Sequence, residues 1–355
     1  MIRVLSLPGS NFEPSSEKLP ARLLDRGIDV FEPSGLPEAR RLTRWRSYWT
    51  ARKIASKDRK ELPDVIHARG FASADLAIEL AERWQIPYVM SADAFLAPGQ
   101  GVRIARKRLK AVIVDDRELA NDLILGLGVP SHWVSVIPPG VEGATMRAPR
   151  SESCVPVVGT AVGAGFGSGL ATFLEAARRV IDHGLEAEFV LAGAGEESTF
   201  ARRLAGGLGV ADHLTVIESR DLDRSFWPVL DVYCHPLRWP SQGRALASAM
   251  AYGIPTIASD LPSAREISED GRTSRLVVPG DAFALASSIV EFLEHSTESR
   301  ELGRLGRESI AARYPAADEA DALASLYQRV AAGSAETKPR VRAGRAESSA
   351  ASRLS

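Results

Sequence analysis

Cysteine is scarce: Cys154 and Cys234 are the only two in a chain of 355 residues. Two thiols build no disulfide framework and suit a reducing cytosol. Long apolar runs are missing as well. Stretches such as 228–233 and 253–258 fall far short of the roughly 20 residues that a membrane-crossing helix requires. Neither sign of charge dominates, with 44 Lys and Arg against 45 Asp and Glu, so no bulk field marks nucleic acid as a partner. Met1 leads straight into the strand-like IRVLSLP, without a basic leader or an apolar signal core. No group of His, Cys or carboxylates has metal-ligand spacing. The expectation is a soluble, cytoplasmic protein that uses no metal and no nucleic acid.

What is present is apolar bulk in a regular order. At 45% hydrophobic residues, the chain is long enough for two cores rather than one. Short β-branched runs alternate with helical patterns in both halves, which predicts parallel sheets wrapped by helices. Strands are expected at 3–7, 29–31, 64–67, 87–90, 111–114 and 133–137, with helices such as 72–84 and 117–126 between them. Residues 138–156, rich in Pro and polar residues, read as a linker. Beyond it the strands are 155–162, 188–192, 214–218, 229–234, 256–258 and 275–278, with helices at 169–182, 198–207, 244–252 and 282–294 and a last one around 318–330. The organisation is therefore α/β, with one doubly wound domain over 1–143 and a second over 144–332. The tail 333–355 has almost no large apolar residues and is expected to be disordered.

Two open parallel sheets in tandem form a cleft where the carboxyl ends of their strands face each other. Several unrelated activities use such a cleft, so the segments must say more. They do. DVIHARG with IPYVMSAD, AVIVDDRELANDLILGLGVPSHWVSVIPPGVE, LEAARRV, EFVLAGAGEE, LGVADHLTVI, AMAYGIP and DGRTSRLVVPGD follow one another in a fixed order and spacing. That series resembles the retaining GT-B glycosyltransferases of family four, known as glycosyl transferases group 1. The resemblance covers most of the chain from Asp64 onward. It implies two Rossmann-like domains of GT-B type, a nucleotide-sugar co-substrate, no further cofactor, and transfer of a hexose to an envelope or polysaccharide acceptor with retention at the anomeric carbon.

The same resemblance exposes departures from the family pattern. Family members hold the donor's diphosphate with an Arg after the first strand of the second domain and a Lys opening the next helix. Thr160 and Ser168 stand at those places. Two family glutamates, eight positions apart, meet the sugar and the ribose, and here the positions are Pro240 and Ser248. The His of a first-domain strand is replaced by Ala92, with Asp93 beside it. A hydrogen bond to a charged group contributes about 1.5–3 kcal/mol. Losing two such contacts would weaken diphosphate binding by roughly two to four orders of magnitude. The opening between the domains is thus expected to lack ionised side chains.

Three features of the sequence could compensate. The loop GAGFGSG, with Gly163, Gly165, Gly167 and Ser168, precedes a helix, and backbone N–H groups there can bind phosphate without side-chain charge. A second helix opens after Gln242 and Gly243 at Arg244, and Arg238, Arg244 or Arg265 could bring a cation from a new direction. The plainer alternative is that the glycines only fill a shortened loop and the arginines are solvated. A dinucleotide fingerprint is disfavoured, because the strand EFVLAGAG ends in small residues instead of the supporting acid.

His67 and Asp93 are the candidates for catalytic side chains, although a lone His after a buried strand is commonly a packed or hydrogen-bonded residue. His235 calls for the same reading, and Glu266 could cap the helix that starts near it. The basic run RRLTRWRSYWTARKIASKDRK, from Arg40 to Lys60, places Trp45, Tyr48 and Trp49 at helical spacing. It suits the anionic inner face of a membrane or, alternatively, packs its aromatics on the sheet. Two functions remain open: an active transferase with an altered donor site, or a catalytically silent pseudoenzyme that partners an active glycosyltransferase.

Overall fold

A computed structural model describes residues 1–8, 18–33, 44–57, 62–92, 107–142, 154–161, 169–193, 196–218, 225–238 and 243–335. The first six strands are β1 (Ile2–Leu7), β2 (Ile28–Phe31), β3 (Val65–Ala68), β4 (Tyr88–Ser91), β5 (Leu109–Val114) and β6 (Val134–Val136). The second six are β7 (Val157–Ala161), β8 (Glu188–Gly193), β9 (Leu214–Glu218), β10 (Val232–His235), β11 (Thr256–Ser259) and β12 (Arg275–Val277). Helices α1 (Leu19–Leu24), α2 (Arg44–Lys57), α3 (Ala74–Trp84) and α4 (Arg117–Asn121) belong to the first half. They are followed by α5 (Leu170–Asp182), α6 (Glu196–Leu208), α7 (Arg244–Ala251), α8 (Pro262–Ile267), α9 (Ala282–Glu294), α10 (Ser296–Arg313) and α11 (Ala316–Ala335).

All strand pairs among the described residues are parallel, in the orders β2-β1-β3-β4-β5-β6 and β12-β11-β10-β7-β8-β9. A parallel sheet covered on both faces requires apolar residues at successive positions, and β3 and β7 are buried along their whole lengths. The covering helices show the complementary stripe: Leu170, Phe173, Leu174, Ala177 and Val180 line the buried side of α5. In the second sheet the strand order reverses between β7 and β10. Open α/β sheets bind ligands in the crevice at the carboxyl ends of such a pair.

Two helices differ from expectation. No helix was expected at 296–313, yet α10 occupies all of it. Its buried face consists of Ser299, Gly303, Gly306 and Ile310, which carries no apolar periodicity. A Cβ on Gly303 would stand 2.4 Å from the Gly253 carbonyl oxygen, so the helix packs backbone to backbone. The last helix, α11, departs both from the expected end near 330 and from the expected place in the second domain. It runs to Ala335 and lies on the first sheet, where Leu323, Tyr327 and Val330 join Val4, Ile28, Val65 and Val89 in one core. The tail beyond it lies outside the described residues.

Candidate functional site

The carboxyl ends of the two sheets meet. Asp116, just after β5, is the N-cap of α4, its Oδ1 accepting from the Leu119 N–H at 2.7 Å. Glu118 accepts from the backbone N–H of Ser263, at the start of α8 after β11. Glu266 of α8 reaches back to the Arg117 N–H at 3.5 Å. Its carboxylate therefore faces the first turn of α4 rather than capping its own helix. Desolvation, with Glu266 close by, raises the pKa of Asp116, and desolvation with Asp116 nearby does the same to Glu118. One oxygen of each, Asp116 Oδ2 and Glu118 Oε2, is buried without a hydrogen-bond partner among the described residues. The DD-x-E pattern after an apolar strand was the available signal for this seam.

At the β7/β10 crevice, Gly169 precedes α5 with φ +73°, and a Cβ there would lie 1.7 Å from the Pro236 carbonyl oxygen. Only glycine permits that approach. It sets the N-terminus of α5 directly against the chain leaving β10. Thr160 lies one residue before the end of β7, wholly buried, and its hydroxyl finds no partner among the described residues. Gly163, Gly165, Gly167, Ser168, Asp93, Pro240 and Gln242 lie outside the described residues. Gly243 is buried against Ile267 of α8 as α7 begins. Ser248 is half-buried on α7, and Ala92 is buried after β4.

The three arginines meet different fates. The guanidinium of Arg244 is paired with Glu319 of α11, Nη2 to Oε1 at 2.6 Å, with side chains only 15% and 6% exposed. Arg265 makes a two-pronged pair with Asp260 at 2.5 and 2.7 Å, which raises its own pKa and lowers that of Asp260. Arg238, after β10, is exposed and rests near Gly280, where a Cβ would be 3.4 Å from its Nε. It has no carboxylate partner among the described residues. The replaced positions apart, cationic side chains thus stand after β10 and on α7 and α8. Glu319 could not be found from sequence, because it lies 75 residues from Arg244 and no motif links the two.

His67 sits in β3 with both ring nitrogens occupied: Nε2 meets Ser91 Oγ at 2.7 Å and Nδ1 meets Tyr327 Oη at 2.8 Å. Burial, with Arg69 in addition, lowers its pKa to about 3. It is a neutral bridge between the first sheet and α11. His235 is likewise buried, its Nδ1 at 3.2 Å from the Tyr233 hydroxyl, with a pKa lowered by burial to about 4. On α2, Ser47 and Ala51 are buried while Trp45, Tyr48 and Trp49 are 72%, 40% and 48% exposed. The aromatics therefore do not pack on the sheet. Arg52 lies over Trp49 and Arg83 over Tyr48.

Family models match both halves: Glycosyltransferase Family 4 over residues 4–144 and Glycosyl transferases group 1 over 156–295. A phosphatidyl-myo-inositol mannosyltransferase of Mycobacterium leprae is 31% identical over 167 residues, 46% of this chain and 43% of the relative. The chain thus spans less than half the length of that relative. A D-inositol 3-phosphate glycosyltransferase of Xylanimonas cellulosilytica is 26% identical across 74% of this chain and 71% of the relative. Among solved structures, sucrose-phosphate synthase from Thermosynechococcus elongatus superposes with a TM-score of 0.71 at 19% identity, covering 94% of this chain and 100% of that one. Anabaena HepE in complex with UDP and glucose gives a TM-score of 0.69 at 16% identity, covering 94% and 100%. With two parallel six-stranded sheets meeting at their carboxyl ends and both family models matched, the chain belongs to the family-four, group 1 glycosyltransferases and has the GT-B fold.

Proposed function

We propose that this protein transfers a hexose from a nucleoside-diphosphate sugar to an envelope or polysaccharide acceptor, with retention, through an altered donor site. The observation that carries the proposal is the approach of Gly169 to Pro236, which holds the N-terminus of α5 at the β7/β10 crevice. A helix N-terminus offers N–H groups and a partial positive charge to phosphate. The diphosphate that leaves during transfer is then stabilised by main-chain dipoles. Arg238 adds a cation from the exit of β10, in place of the family side chains that Thr160 and Ser168 replace. HepE, which shares the fold, was crystallised with UDP and glucose.

Calorimetric titration with UDP-, GDP- and ADP-sugars tests this reading. Binding at submillimolar concentration is expected, and the R238A variant should bind about 10-fold or more weakly, the share of one charge-assisted hydrogen bond. Absence of heat at millimolar ligand would remove the donor site from consideration. A second reading, the catalytically silent partner of an active transferase, is favoured by the locking of Arg244 and Arg265 into ion pairs. It predicts no nucleotide binding together with stimulation of a partner transferase.

The exposed aromatics of α2, flanked by Arg46, Arg52 and Lys53, support a location on the anionic inner face of a membrane. No helix among the described residues is long and apolar enough to cross one.

A further inference from the structure

The two halves are joined by two chain crossings, and these are stitched together. Val141 of the linker donates its N–H to the Tyr314 carbonyl at 2.9 Å and accepts from the Ala316 N–H at 3.2 Å. Gly140 is pressed against the first turn of α11: a Cβ there would stand 2.6 Å from Ala316 Cα and 2.9 Å from Glu319 Cβ. Glu319 stands at the centre of this junction, 7% exposed. Its Oε2 accepts from the Gly140 N–H at 2.8 Å and from Arg244 Nη1 at 3.4 Å, and its Oε1 accepts from Arg244 Nη2 at 2.6 Å. Both carboxylate oxygens are therefore occupied, one arm on the linker and the other on the first residue of α7.

That first residue opens α7, the element that follows β10, and β10 is the strand beside β7 at the candidate donor crevice. The far end of α11 is fixed to the first sheet by Tyr327, Leu323 and Val330. We propose that Glu319 is a positioning residue that couples the donor-side entry of α7 to the hinge, so that the angle between the halves and ligand binding at the crevice respond to each other. The donor half of this statement rests on the function proposed above, whereas the hinge half does not. A charge-assisted pair with little solvent around it has strong directional preference. Moving α7 while α11 stays on the first sheet must break or drag it. Thermodynamic linkage then makes the effect reciprocal: whatever shifts the hinge shifts affinity by the same factor.

The test is a spin-label distance measurement between the halves, with E82C on α3 and E298C on α10 in a C154S background; Cys234 is buried and does not label. Four backgrounds are compared: the parent, E319Q, R244A and the double variant. E319Q guards against loss of folding, because it keeps an oxygen for Gly140 while removing the charge and replacing the oxygen that Arg244 Nη2 uses with an NH2 donor. Without ligand, E319Q and R244A should each broaden the distance distribution, and the double variant should broaden it no further than the wider of the two. With UDP or GDP, the parent should shorten its mean distance, and the variants should lose that response while binding nucleotide at least severalfold more weakly. Ligand-free distributions in both single variants that match the parent would overturn the coupling. If the parent binds neither nucleotide, the donor reading falls, while the ligand-free comparison still decides the hinge.

Discussion

Histidine 67 shows how burial turns a titratable group into a structural one. Its pKa in the folded protein is about 3 against an ordinary 6.5, so below pH 6.5 the unfolded chain binds a proton that the folded chain refuses. Stability is therefore complete above about pH 6.5 and declines as the pH falls towards 3, by on the order of 5 kcal/mol for this group. H67N should flatten the dependence of urea midpoint on pH between 4 and 7, with His235 left to account for the remainder. An unchanged slope would mean that the ring is not the proton-linked group. Asp116 runs in the opposite sense. Its raised pKa means that ionisation costs stability as pH rises through the folded value. Asn caps a helix as well as Asp does, so D116N should raise the urea midpoint at pH 7.5. A lower midpoint would show that the seam needs the charge.

Secondary elements were legible where burial left a pattern and illegible where it did not. All twelve strands among the described residues fall within a few residues of expectation, because a strand buried on both faces must be an apolar run such as VIHA or VVGTA. The hidden face of α10 is built from Ser and Gly, a choice dictated by the backbone it touches and silent in hydrophobic periodicity. The strand skeleton also fixes the β7/β10 crevice, where the strand order reverses. It could not supply Glu319 as the partner of Arg244, nor the closure of His67 by Tyr327, since those pairings span 75 and 260 residues. Gly169 is the point where element packing and site coincide. G169A forces a Cβ into a carbonyl and a side chain into the left-handed region. It should lower thermal stability by about 2 kcal/mol or more and abolish nucleotide binding in the same calorimetric titration. Full binding in a stable G169A protein would separate α5 from the donor site.

At the scale of the molecule, one helix of the first half presents Trp45, Tyr48 and Trp49 to solvent beside cationic neighbours. Apolar rings that enter the headgroup region, together with about 1 kcal/mol per Lys or Arg near an anionic surface, predict salt-sensitive binding. The full chain should sediment with phosphatidylglycerol-containing vesicles at low ionic strength and be released by salt, and W45A/W49A should retain only a small fraction of that binding. Equal retention by the double variant would assign the aromatics another role.

The return of α11 onto the first sheet means that the covalent boundary and the folding boundary do not coincide. A fragment cut at the linker, 1–143, would leave uncovered the apolar surface of Val4, Ile28, Val65 and Val89 that α11 shields. Such a fragment should aggregate on expression, and supplying residues 316–335 in trans, or grafted by circular permutation, should restore its solubility. A soluble, monomeric 1–143 would show that the sheet closes without its borrowed cover. Any attempt to dissect this protein into its two halves must therefore carry the end of the chain along with its beginning.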